Sequence, residues 1–214
     1  MLKPVRWETF IRDFIVIQLG FGLFGLSIAL TIRANLGTGA WSVFEVALSQ
    51  LSGLTPGTLT IIVGFSVLLI AMLFKERVGW GTLANILCIG LWEDLFLWLL
   101  PSVRGNLPLQ VGMLFAGILT QGVASAIYIG VNAGAGPRDS LMLAIKRKTG
   151  LALGFARGII EVTVFIIGWI LKGPAGIGTA IFSFLVGPAV HWGFKIFNVH
   201  PHGDELPIVE AAAD

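Results

Sequence analysis

Two nonapeptides decide how this chain is read: Ala34-Asn35-Leu36-Gly37-Thr38-Gly39-Ala40-Trp41-Ser42 and Val131-Asn132-Ala133-Gly134-Ala135-Gly136-Pro137-Arg138-Asp139. They lie 97 residues apart, each follows a long apolar run, and each sets an Asn two residues before a Gly-x-Gly. Both continue into a short segment that ends at a second glycine cluster. This is the signature of a repeat, not of a catalytic motif.

Composition sets the class around those motifs. Of the 214 residues, 56% are apolar and only 12% charged, with a mean hydropathy of +0.89. A soluble domain carries roughly 25% charged residues, so a polytopic membrane protein follows. The net charge of +2 is too small to suggest nucleic acid as a partner. A lone Cys88 in an apolar run excludes a disulfide framework and a cysteine metal site, and reads as a small buried hydrophobe.

Six spans are predicted, at about Phe14–Ile32, Leu59–Phe74, Thr82–Leu100, Leu109–Val131, Leu153–Leu171 and Ala175–Phe197. At 1.5 Å per residue each covers much of a hydrocarbon core of roughly 30 Å. Pro188 is expected to kink the last. The segments after the motifs, Ala40–Ser52 and Ser140–Lys148, are too short to cross and read as interfacial or re-entrant helices. The resulting plan is an N-terminus at 1–13, a first membrane repeat at 14–100, a linker at 101–108, a second repeat at 109–197 and a disordered tail at 198–214.

With the N-terminus in the cytoplasm and six crossings, 11 of the 14 basic residues fall inside and 3 (Arg33, Arg104 and Lys172) outside. That is the positive-inside asymmetry, and it places both termini in the cytoplasm of a bacterial inner membrane. Treating the short helices as full spans moves Lys75, Arg77 and Arg138 outside and blurs the bias.

Shifting the chain on itself by 97 residues without a gap pairs Gly20 with Gly117, Gly25 with Gly122, Gly57 with Gly154 and Gly90 with Gly187. The same register pairs Asn35, Gly37 and Gly39 with Asn132, Gly134 and Gly136, and Gly79, Gly81 and Thr82 with Gly176, Gly178 and Thr179. Three spans per copy is an odd number, so the second copy enters the membrane from the opposite side. An inverted repeat is the consequence, as in many transporters.

The Gly-x-Gly motif after a span resembles that of the bacterial YczE and YitT type of multi-pass membrane protein, over most of residues 14–197. That type carries Pro-Trp-Asp after the glycines. The first copy here has Ala40 and Ser42 at the Pro and Asp positions, and the second keeps Pro137 and Asp139 but has Arg138 in place of Trp. Lacking a soluble C-terminal domain, the chain is more similar to the shorter YczE-like members. The resemblance implies an integral inner-membrane protein, and no substrate or reaction.

Charges at membrane depth mark the candidate path, since a charge in hydrocarbon costs at least roughly 2.5–3.5 kcal/mol and needs a protein or water partner. Arg33, Glu45, Glu93 and Asp94 are expected to form an outer cluster, and Arg157, Glu161 and His191 an inner one. Glu161 lies four residues beyond Arg157, a spacing that allows an ion pair on one helix face. Asp94 and His191 are paired by the offset of 97 and fall at mirrored depths.

These clusters suggest a substrate or proton path in a secondary transporter or channel-like protein for a small solute or ion. The rival reading is a membrane-embedded accessory or assembly factor that acts by helix packing, with the same charges as structural ion pairs. No P-loop, nucleophile elbow or zinc-protease motif is present in the sequence, so no enzyme, cofactor or metal site is expected. The expected partners are the lipid bilayer and a small solute or ion, with self-association left open.

Overall fold

A computed structural model describes residues 7–74, 79–131, 133, 134 and 136–199. Within them the chain is helical, without strands: α1 Phe10–Arg33, α2 Ala40–Ser52, α3 Pro56–Leu73, α4 Trp80–Leu99, α5 Leu107–Gly130, α6 Pro137–Thr149, α7 Leu153–Ile170 and α8 Ile177–Ile196. Local chemistry fixes the ends. Thr55 caps α3 by accepting from the Thr58 amide at 3.2 Å, with Pro56 in the first turn. Asn106 caps α5 through the Leu109 amide at 3.3 Å. Gly53 and Gly150 close α2 and α6 in the left-handed conformation, at φ 76° and 73°.

Every boundary in the second half equals its counterpart in the first plus 97, giving helices of 24, 13, 18 and 20 residues twice over. Contacts within and between the halves recur at the same offset. Gly25 abuts the backbone of Trp92 and Glu93, as Gly122 abuts Ala189 and Val190. The Gly178 amide donates to the Leu36 carbonyl at 2.7 Å, and the Gly81 amide donates to the Ala133 carbonyl at 3.1 Å. Gly37 and Gly134, at φ +108° and +137°, make the close turns that allow this crossing; a side chain there would meet Thr179 and Thr82 respectively.

Helices α1 and α5 form the centre, each packed lengthwise on the other, with α4 against α1 and α8 against α5. Ile17, Phe21 and Ile28 of α1 form the main apolar cluster with Ile89 of α4 and Tyr128 of α5. The glycine-lined crossings bring backbones together where lipid supplies no hydrophobic drive between helices. Many large apolar side chains face outward, among them Trp98, Phe155 and Phe184, as a lipid-facing surface requires.

Five helices, α1, α3, α4, α5 and α8, are long and apolar enough to cross a membrane among the described residues. This is one fewer than the six spans read from sequence. The sixth, α7, matches the 18 residues of α3 in length and carries Arg157 and Glu161. The helix α8 continues through Pro188. Both short helices begin inside the protein: Trp41, Ser42, Val43, Glu45, Val46 and Ala47 of α2 are buried, and its last three residues are exposed. The tail expected at 198–214 lies outside the described residues from residue 200 onward.

Candidate functional site

The N-termini of α2 and α6 converge on one cavity of about 190 Å³. Thr38 to Ser42 bound it from the first motif and Gly136 to Asp139 from the second. Thr60 and Gly64 of α3 and Asn85 of α4 contribute one wall; Arg157 and Glu161 of α7 and Ser183 of α8 contribute the other. Gln121, Ser125 and Tyr128 of α5 add further polar groups, and apolar side chains such as Phe24 and Ile28 of α1 and Phe182 of α8 line the rest. A small chamber of mixed polar and apolar lining therefore sits where the two repeats meet, with the positive ends of two short helices at its edge.

Charge is distributed unevenly around that chamber. Arg138 Nη2 lies 2.7 Å from Glu45 Oε1, and its guanidinium stacks 4.5 Å from the centroid of Trp41, the residue that corresponds to it at the offset of 97. Behind this pair, Thr60 Oγ1 lies 3.1 Å from Glu45 Oε2 and 2.7 Å from Glu93 Oε2. Both carboxylates are fully buried, at 0% exposure, and Glu93 Oε1 has no hydrogen-bond partner among the described residues. Across the chamber Arg157 Nε donates to Glu161 Oε1 at 2.9 Å, and the Tyr128 hydroxyl lies 3.4 Å from Asp139 Oδ2.

The residues singled out from sequence are thus sorted. Glu45 and Glu93 come together through Thr60, and Arg157 pairs with Glu161 at the chamber wall. Asp94 is engaged away from them. Its carboxylate accepts from the Gly57 amide at 2.8 Å and from the Thr55 hydroxyl at 2.5 Å, holding the start of α3 to α4. Arg33 donates to the Leu97 carbonyl at the far end of α4. Asn35 binds the linker, donating to Ser102 Oγ at 2.9 Å and accepting from Arg104 Nε at 3.3 Å. His191 is exposed on α8 and does not line the chamber; its neighbour Val190 does. Gly39 and Gly136 are the residues before α2 and α6 and line the chamber, and Asp139 lies in the first turn of α6. Asn132 lies outside the described residues.

Sequence reasoning missed Arg138 as the partner of Glu45, and Thr60 as the bridge. The signal for the first was available: a cation standing where the motif has an aromatic residue, 97 positions from Trp41. Thr60, one of three hydroxyl residues in an apolar helix, offered none.

Helix content, apolar surface and this buried polar centre define a polytopic helical membrane protein. Residues 11–195 match the family described as "Family of unknown function (DUF6198)", and the chain belongs to that family. It is 32% identical over 187 residues to the uncharacterized membrane protein YczE of Bacillus subtilis, covering 86% of this chain and 82% of that one. An uncharacterized protein of Haemophilus influenzae is 27% identical over 92% of this chain and 89% of its own length. The B. subtilis protein YyaS is 28% identical over 85% and 92%. No solved structure matches the chain.

Proposed function

We propose that this protein is a secondary transporter of a small polar solute or ion in the bacterial inner membrane, with six spans arranged as an inverted repeat. In this reading α7 crosses the membrane like α3, its two charges facing the chamber instead of lipid. The reciprocal contacts of Leu36 with Gly178 and of Ala133 with Gly81 are those of a two-fold relation between halves. With three crossings per half, that axis lies in the membrane plane and both termini lie in the cytoplasm.

One observation carries the transport reading. In the first repeat α3 packs along α4, with Gly57 and Gly90 in mutual backbone contact. Their counterparts Gly154 and Gly187 have no atom within 4 Å of where a side chain would begin, beyond their own helix backbone. Instead of packing together as α3 and α4 do, α7 and α8 each line the chamber. Two copies of one unit hold two different packings, one closed and one parted. Exchanging those packings would close the chamber toward one face and open it toward the other, which is alternating access.

The direct test is uptake into proteoliposomes of the purified protein, screened across small anions, cations and metabolites with an imposed pH gradient. Saturable uptake above empty liposomes supports the reading. Its absence for every solute class, with folded protein inserted, favours the accessory-factor alternative.

A further inference from the structure

The buried carboxylate pair behind the chamber poses a counting problem. A threonine hydroxyl has one hydrogen to donate and two lone pairs to accept with. Thr60 Oγ1 nevertheless lies within hydrogen-bond distance of two carboxylates, at 3.1 Å from Glu45 and 2.7 Å from Glu93. If both were ionised, one contact would be an oxygen facing an anionic oxygen with no proton between them. Glu45 has its cation in Arg138 at 2.7 Å. Glu93 has none: its Oε1 is buried without a partner among the described residues.

The charged groups around Glu93 agree. From α2 it faces Glu45, on its own helix Asp94 is adjacent, and from α6 the guanidinium of Arg138 is committed to Glu45. From α1 the backbone at Gly25 lies against it, and from α3 the hydroxyl of Thr60. An uncompensated anion here would be a buried charge in a membrane protein, the costliest state a carboxyl group can take.

Resting on the transport reading, we propose that Glu93 is the proton-binding site of the transport cycle, and that its carboxylic acid hydroxyl, donating to Thr60, holds α3 against α4 in the closed repeat. The chain of donors then runs from Glu93 to Thr60 Oγ1 and from Thr60 to Glu45, whose charge Arg138 balances. Thr60 also lines the chamber, which sets the exit on its side of the pair. Turned from Glu45 to chamber water, the Thr60 hydroxyl passes its one hydrogen on as Glu93 passes its proton to Thr60 Oγ1, leaving Glu93 ionised, Thr60 neutral and one hydronium in the chamber. The ionised Glu93 and Glu45 then share a single hydroxyl hydrogen, and the α3–α4 contact weakens. The sign follows: the contact is held at low pH and loosens as pH rises through the deprotonation of Glu93, which couples one proton to exchange of the repeats.

Infrared difference spectroscopy on the purified full chain tests the proton itself, independently of any solute. The wild type should show a protonated-carboxyl C=O band that is lost in Glu93→Gln and shifts in Thr60→Val, where the hydrogen-bond acceptor is removed. Absence of the band, or its persistence in Glu93→Gln, overturns the proposal. Glu93→Gln retains a donor for Thr60 and the shape of the acid, and equal elution and helix content establish that it folds. In proteoliposomes Glu93→Gln, which keeps the donor that holds α3 against α4, should lose at least tenfold of pH-gradient-driven uptake and of solute exchange alike. Undiminished gradient-driven uptake also overturns it. If the wild type moves no solute, the transport reading fails, and the infrared band alone then decides whether Glu93 binds the proton.

Discussion

Gly57 and Gly90 sit so close that each occupies the space where the other's side chain would begin, so α3 and α4 meet backbone to backbone. Ninety-seven residues on, Gly154 and Gly187 face open space. The same sequence device serves a contact in one repeat and leaves it unmade in the other.

Alanine at these positions should therefore act in opposite ways in the two repeats. Gly90→Ala drives a methyl group into the Gly57 carbonyl and should cost about 1–3 kcal/mol by overpacking. Gly187→Ala meets nothing and should leave thermal stability unchanged or raised by about 0.5–1 kcal/mol, the usual gain over glycine within a helix. Yet it should lower uptake by obstructing the approach of α7 to α8. Unfolding midpoints in one detergent, set beside uptake rates, separate the two effects.

Arg138→Gln leaves Glu45 buried without its cation and should destabilise the protein by about 3 kcal/mol, the lower end for a broken buried pair because Arg138 is 30% exposed. Adding Glu45→Gln should recover most of that loss. A double-mutant cycle in thermal stability measures the coupling, and additivity of the two single effects would show that the pair is not coupled.

Asp94→Ala should cost about 1 kcal/mol, the ordinary value of a helix cap, because its carboxylate holds the first turn of α3. His191→Ala should stay within about 0.5 kcal/mol of the wild type, as surface substitutions do. Equal effects of the two on the unfolding midpoint would contradict the unequal surroundings described for them.

Those two residues also show where sequence reasoning stops. The offset of 97 pairs them, and the glycine clusters in that register anticipated a helix order that repeats with the same lengths. The ion pair Arg157–Glu161 was legible because four residues is one helical turn. What the offset cannot say is whether two equivalent segments are packed alike: Asp94 is engaged because α3 lies on α4, and His191 is not because α7 stands away from α8. Nor does any local pattern announce Arg138 with Glu45, a contact between helix ends 93 residues apart.

Sidedness is open to direct labelling. In a Cys88→Ala background, Ser102→Cys should react with an impermeant maleimide on intact spheroplasts, and Lys148→Cys only after permeabilisation. The reverse pattern would invert the orientation derived from the basic residues.

The most direct test of the central claim, that the two repeats exchange packings, needs no solute. Spin labels at Phe155 and Phe184 report the α7–α8 separation, and labels at the equivalent Thr58 and Leu87 report α3–α4. Introducing Gly90→Ala should lengthen the Thr58–Leu87 distance and, in the same molecules, shorten the Phe155–Phe184 distance. If the first lengthens while the second keeps its distribution, the repeats move independently and the exchange of packings is contradicted.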